Sequence, residues 1–88
     1  MVRHGNLLLR PIAEPKKVLA AAEVAAFTLA TSEATHTLTG RIEPATVEVS
    51  EGTAIPVVHV LEPSSLVREV HPTRTVEPGW YEIAHQHV

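Results

Sequence analysis

The sequence predicts a small all-β domain, a barrel or sandwich of about seven to nine short strands. Valine, isoleucine and threonine supply 25 of the 88 residues, and these β-branched types pack better on pleated strands than in helices. Turn-forming clusters separate the apolar runs, at Glu51-Gly52, Pro63-Ser64-Ser65 and Pro78-Gly79. We therefore expect a single β domain over residues 1–88.

The first predicted strand is the apolar run from Leu7 to Ile12, closed by Pro11 and Pro15. Such a run suits a strand that is buried on both faces or pressed against a partner. The alanine-rich segment that follows is ambiguous, because residues 16–30 could form one helix or continue as strand. A helix would align one apolar stripe of Leu19, Ala22, Ala26 and Leu29. In the strand alternative, residues 23–30 form a strand in which Val24 and Ala26 face one side and Ala25 and Phe27 the other. The sequence pattern leaves both alternatives open.

The β pattern is clearer from residue 35 onward, where threonines alternate with His36 and Leu38. We expect Gly40 to break this strand and Glu43-Pro44 to form a turn. The run from Ile55 to Val60 is apolar on both faces and is predicted to be central. Residues 57–87 are predicted to form three short strands joined by two proline turns.

Composition argues against several classes of partner. The formal charge is −3 and the seven basic residues are scattered, so the clustered cations and stacking aromatics of a nucleic-acid site are missing from the sequence. No apolar run reaches the roughly 18–20 residues needed to cross a bilayer, and the N-terminal segment is too short for a secretory signal. The chain has no cysteine and hence no disulfide. We expect a cytoplasmic or particle-bound protein that is stabilised by association.

Catalytic signals are weak throughout the chain. The ten acidic residues are all glutamates and are spread evenly, Ser64-Ser65 lacks the strained turn of a nucleophilic serine, and no glycine-rich phosphate loop occurs. The sequence therefore predicts a non-enzymatic protein without a cofactor.

Histidines offer a weaker possibility of metal or ligand binding, through His59, His71, His85 and His87. His85 and His87 are two residues apart, so a strand would place both imidazoles on one face. His59 lies between two valines, where a core or interface histidine with one hydrogen bond is the ordinary alternative. His36 and His71 flank turns and are expected to face solvent, where they could titrate.

The candidate interface residues are the apolar run Leu7, Leu8 and Leu9 and the aromatic pair Trp80 and Tyr81. Large amphipathic rings dominate the energetics of many interfaces, and the pair follows the Pro78-Gly79 turn. The alternative is that Tyr81 fills the core while Trp80 lies over a neighbouring strand.

Three segments of the chain resemble a group of small, functionally unassigned bacterial and phage-borne proteins. Residues 4–11, HGNLLLRP, resemble the group's opening HGDVLLRPV, and residues 18–29 align without a gap to its VLAxGEVTGHAH segment. Residues 66–87 resemble its ending LxHEEHxPIxLPPGxYxVxRQRE. The resemblance covers about half of the chain and implies that residues 18–30 are strand. Of the group's four motif histidines, this chain keeps only His71 and carries Phe27, Leu29 and Arg68 at the others.

These features predict a non-enzymatic assembly protein that forms a homo-oligomer on a larger protein particle. A phage capsid decoration protein in a virion is the concrete version, motivated by the resemblance and by apolar runs that need a partner. A histidine-dependent metal- or ligand-binding module is the alternative. A weaker alternative is a protein-binding adaptor that uses Trp80, Tyr81 and the final strand.

Overall fold

A computed structural model of the chain describes residues 1–30, 35–68 and 71–85, with all side chains in these ranges except those of His71 and His85. It contains nine strands: β1 (Val2–His4), β2 (Leu7–Ile12), β3 (Val18–Ala21), β4 (Val24–Ala30), β5 (Thr35–Ser50), β6 (Thr53–Val60), β7 (Ser64–Arg68), β8 (His71–Val76) and β9 (Gly79–His85). No helix occurs within these three ranges. The predicted all-β fold is confirmed.

The alanine-rich segment is extended, so the helix considered for residues 16–30 is wrong. β3 and β4 follow one another along the same side of β5, and both run antiparallel to it. Val18 pairs with Val47 in β3, and Leu29 pairs with His36 in β4. β5 offers this segment a long row of backbone hydrogen-bonding partners, and this tertiary pairing outweighs the intrinsic helix preference of alanine.

β5 is one strand of 16 residues and continues through both of the interruptions predicted from the sequence. Gly40 has φ of +144°, and a Cβ there would collide with the side chain of Ser64 at the start of β7. Glycine therefore lets the strand bend closely over β7 without ending. Pro44 lacks an N–H, but its carbonyl accepts a hydrogen bond from the Ala22 N–H. The predicted turn at Glu43-Pro44 is wrong because β6 pairs with this part of β5.

The strands form one sheet in the order β1-β2-β9-β6-β5-β7-β8, with β3 and β4 on the other side of β5. β6 pairs with both β5 and β9, which confirms its predicted central position. The last third of the chain has four strands rather than three, since residues 71–76 form β8 against β7.

The sheet curls so that its two end strands, β1 and β8, come together in a nearly closed barrel. The His4 Nε2–H donates to the Pro72 carbonyl at 3.0 Å, and the Arg74 Nη1–H donates to the Arg3 carbonyl at 3.2 Å. These bonds reach from one end strand to the other and bring the two open edges of the sheet together.

Apolar side chains form two clusters on opposite faces of this sheet. The larger cluster fills the barrel and contains Leu7, Leu9, Leu29, Leu38, Ile42, Val58, Val60, Leu66, Val76 and Tyr81. The smaller one is centred on Ala45, Val47 and Val57, with Ile12, Ile55 and Trp80 packed against it. Val57 and Val58 belong to different clusters because successive residues of a strand point to opposite faces.

Candidate functional site: an exposed apolar strand and a buried histidine pair

β3 exposes its apolar side chains although it lies within a sheet. All four of its residues are exposed, with Val18 at 43% and Leu19 at 51%, and Val24 at the start of β4 is also exposed. Among the described residues β3 and β4 pair only with β5, so their other edge carries no partner strand. Exposed apolar side chains on an open strand edge are a feature of many binding surfaces.

An open apolar groove of about 380 Å³ runs beside β3. Ala20, Ala21 and Ala22 form one wall, and Phe27 and Val57 contribute to the rest. The alanine side chains of this wall are short, and the groove is open to solvent. Leu19 is thus a protruding apolar side chain next to a shallow apolar recess.

The residues on either side of β3 in the sequence form ion pairs with residues of β5. The Lys17 Nζ lies 2.9 Å from Glu48 Oε2, and the Arg41 Nη2–H donates to Glu23 Oε1 at 2.9 Å. Glu23 raises the pKa of the Arg41 guanidinium above its ordinary value, through this hydrogen bond and through its charge. Both pairs are largely exposed, so their contribution to stability is small.

A buried histidine pair lies at the barrel seam. His4 is 3% exposed and His36 is 0% exposed, their Nδ1 atoms are 2.7 Å apart, and the rings meet edge to face at an interplanar angle of 69°. Pro72 O can only accept, so His4 Nε2 carries a proton. A neutral His4 then accepts at Nδ1, and the His36 Nδ1–H donates to it. The pair joins β1 to β5 and, through Pro72, to β8.

The expectation that His36 faces solvent is wrong. His36 has the same strand parity as Leu38, which is fully buried in the barrel, so both side chains share the inner face. The alternation around Leu38 could have predicted this burial. The partnership with His4, 32 positions earlier, depends on barrel closure and has no local sequence signal.

The five predicted interface residues divide between core and surface. Leu7, Leu9 and Tyr81 are buried in the barrel cluster, and the Tyr81 hydroxyl donates to the Glu77 carbonyl at 2.7 Å. Leu8 and Trp80 are half-buried. Three of the five residues thus fill the core of the single chain, because their side chains lie in the barrel cluster. Whether the set takes part in an interface stays a prediction, but the exposed apolar surface lies at β3.

Trp80 stacks on His59 of the neighbouring strand, with ring centroids 4.0 Å apart and an interplanar angle of 9°. This agrees with the alternative in which Tyr81 fills the core and Trp80 lies over a neighbouring strand. His59 Nδ1 also lies 3.5 Å from Glu43 Oε1. His59 therefore has a packing partner and an acidic neighbour within the sheet.

The predicted histidine set for metal or ligand binding is described only in part. His71 and His85 belong to β8 and β9, but their side chains lie outside the described part, as does all of His87. In the ranges that are described, no group of three or more His, Cys, Asp or Glu side chains is placed to hold a metal ion. The four-histidine set stays a prediction.

The comparisons with known proteins identify a family but no activity. Residues 3–86 match the model of a domain of unknown function, DUF8820. The chain belongs to this family. No curated protein and no solved structure matches the chain. Within the described residues, no helix is long and apolar enough to cross a membrane.

Proposed function

We propose that this member of the DUF8820 family is a non-enzymatic assembly protein that associates with copies of itself on the surface of a larger protein particle. The observation that carries the proposal is the exposed apolar strand β3 beside an open apolar groove. Burial of such a surface is favourable by about 25 cal/mol per Å² before the costs of association are subtracted. A protein selected to stay monomeric gains nothing from exposing it.

The charged residues of the described chain support a structural role. Arg10 lies 4.0 Å from Glu82 on the adjacent strand β9, and the Lys17 and Arg41 pairs likewise bridge neighbouring strands. Each of these side chains pairs with an opposite charge on a neighbouring segment of the sheet surface, as structural ion pairs do. The groove beside β3 is lined mainly by apolar atoms.

A phage capsid is the particle that we favour, on the basis of the resemblance to phage-borne proteins of similar size. A decoration protein needs a rigid small fold and a surface that binds a repeated lattice. The nearly closed barrel supports the first requirement. The apolar surface at β3, which would join copies of the chain, supports the second, because a multimer can bind a repeated lattice at several points.

Light scattering after size-exclusion chromatography, combined with co-sedimentation on purified capsids, tests this function. We expect a homo-oligomer at micromolar concentration, saturable co-sedimentation, and loss of both on Leu19→Arg. Thr53→Arg, a change at an exposed position at the start of β6, is the matched control and should leave both intact. A monomer that does not co-sediment at any concentration would contradict the proposal.

The His4 and His36 pair favours a second candidate, a metal-binding module. Its two converging Nδ1 atoms are potential ligands, and the bond from His4 Nε2 to the Pro72 carbonyl resembles the support given to metal-bound histidines. Two nitrogens on a tetrahedral zinc ion lie about 3.3 Å apart, so the rings would have to separate slightly from 2.7 Å. Two imidazoles also supply only half of a tetrahedral ligand set.

Elemental analysis of protein purified without chelators tests this candidate. If it holds, wild type carries one zinc ion per chain, His36→Gln loses it, and His59→Gln keeps it. Loss of zinc on His59→Gln alone would instead favour the histidine set predicted from the sequence. Wild-type protein that binds no zinc, even after zinc is added in excess, would eliminate both sets.

A further inference from the structure

We infer that two copies of this chain associate about a two-fold axis, with the Leu19 side chain of each copy inserted into the apolar groove beside β3 of the other. The inference rests on the proposed homo-oligomer and specifies its contact. It follows from the shape of β3, from the position of the groove, and from the charges around both.

Leu19 protrudes because it is the extra residue of a β-bulge. Val18 is paired with Val47 and Ala20 with Thr46, so two steps along β3 correspond to one step along β5. A bulge of this kind redirects a side chain out of the regular alternation of the strand. The Leu19 side chain is 51% exposed, and it therefore forms a single apolar knob on the surface.

The groove of about 380 Å³ begins beside this knob and is lined by side chains that are cheap to bury. Ala20, the residue after Leu19, lines it, as do Pro44, Pro56 and Phe27. Alanine and proline side chains lose almost no conformational entropy on burial, which lowers the cost of filling a recess that they line. Such a groove favours the insertion of one apolar side chain.

The knob and the groove belong to the same surface, which makes that surface complementary to itself. A knob that fitted a recess elsewhere on the molecule would join copies head to tail and could continue without limit. Because Leu19 adjoins the groove, a two-fold axis brings each knob to the groove of the other copy and closes the contact after two chains. The occupant of the groove is therefore a second copy of this chain.

The charges next to β3 are already paired within each chain. Lys17 Nζ lies 2.9 Å from Glu48 Oε2, and Arg41 Nη2 lies 2.9 Å from Glu23 Oε1. The residues that line the groove are uncharged. Two identical surfaces with unpaired charges of one sign would repel each other at short range. The in-chain pairs remove most of this repulsion, and the contact requires no alignment of charges between the copies.

Two substitutions and their mixture test the contact. Leu19→Ala removes the knob, and Ala22→Trp fills the groove from a position that lines it. Each should weaken self-association by about tenfold, because each disables both contacts of the pair. In a mixed pair the two defects fall on the same contact, and the other contact is as in wild type. We expect the mixed pair to form at least about threefold more tightly than either variant with itself, by sedimentation velocity with one variant fluorescently labelled.

Val67→Ala and Ala25→Trp are the matched controls. Val67 is a 40% exposed residue of β7, and Ala25 is an exposed residue of β4 that is not part of the groove lining. The first control removes a similarly exposed apolar side chain, and the second adds the same ring elsewhere. Both should associate as wild type does, and circular dichroism checks that every variant is folded.

Isotope-filtered NMR observes the contact directly. Phe27 lines the groove and is the single phenylalanine of the chain, so its ring signals report on the groove. In an equimolar mixture of isotope-labelled and unlabelled chains, we expect cross-peaks between copies from the Leu19 methyl groups to the Phe27 ring. The methyl groups of Leu9, which is fully buried in the barrel, should give none.

The outcomes separate the inference from the proposed function. A monomeric wild type would overturn both. A wild type that self-associates while Ala22→Trp associates equally well, or while the mixed pair forms no more tightly than its components, would overturn the insertion of Leu19 and leave the homo-oligomer standing. Self-associated protein that gives no cross-peak between Leu19 and Phe27 of different copies would overturn the insertion as well.

Discussion

β2 and β3 are both short apolar strands, yet only β2 is covered by its own chain. Leu7 and Leu9 of β2 are fully buried, whereas Val18 and Leu19 of β3 are about half exposed. β2 pairs with β1 on one side and β9 on the other, and its inner face lies on the barrel core. Among the described residues β3 has β5 alone as a neighbour.

The difference shows that apolar character alone does not identify an interface. In the sequence, Leu7-Leu8-Leu9 is the more apolar run and was predicted to need a partner, but the barrel supplies one within the chain. The alanine-rich run was ambiguous in the sequence and proves to be the exposed one. Whether a strand turns its apolar side chains into the barrel core therefore decides which apolar segment remains open.

Leu9→Ala should produce the largest change in stability. It removes a fully buried side chain from the barrel core, so we expect the free energy of unfolding to fall by about 2–5 kcal/mol. Urea denaturation followed by circular dichroism measures this loss. A change below about 1 kcal/mol would mean that β2 is not covered as the structure describes.

Tyr81→Phe tests whether the Tyr81 hydroxyl of β9 is buried. We expect it to lower the free energy of unfolding by less than Leu9→Ala does. Burial, with a smaller contribution from Glu77, raises the pKa of the Tyr81 hydroxyl above its ordinary value near 10. The folded state then holds this proton more tightly than the unfolded state, so the stabilisation is full below pH 10 and is lost as the pH rises through the folded pKa. We expect Tyr81→Phe to cost about 1 kcal/mol at pH 7, through loss of the bond to the Glu77 carbonyl.

The pH profile separates this effect from simple loss of packing. As the pH rises above 10 and through the raised pKa of Tyr81, wild type should lose stability faster than Tyr81→Phe, so that the difference in stability between them narrows. Parallel profiles over that range would show that the Tyr81 hydroxyl is not buried.

Leu19→Ala should have the smallest effect on the stability of a dilute sample, within about 0.5 kcal/mol, because Leu19 is half exposed in the single chain. Its effect should grow with protein concentration as the β3 contact forms. Thermal unfolding at several protein concentrations measures this dependence. If Leu19→Ala lowered the stability of the dilute sample as much as Leu9→Ala does, β3 would be as well covered as β2, and the contrast in burial between the two strands would be wrong.

Much of the fold could be predicted from local pattern. β-branched composition and regularly spaced turns indicate the all-β class, and the two-sided apolar run at Val57 and Val58 indicates a central strand. Gly40 and Pro44 were misleading because both usually interrupt a strand. Here the close approach of Ser64 requires a glycine, and the pairing with β6 holds Pro44 in line.

The sites depended on contacts between distant positions and could be predicted less well. The alternation with Leu38 was enough to predict that His36 is buried, but not that it meets His4. Trp80 lies on His59 because the β6 and β9 register places these two residues opposite one another.

Hydrogen exchange at two protein concentrations tests the central claim most directly, that β3 is open in a single chain and covered when copies of the chain associate. The amides of Leu7 and Leu9 should be protected to the same degree in dilute and concentrated samples. The amide of Ala21 should exchange rapidly when dilute and slow by at least tenfold when concentrated. Equal exchange of Ala21 at both concentrations, in a sample that self-associates, would contradict the account.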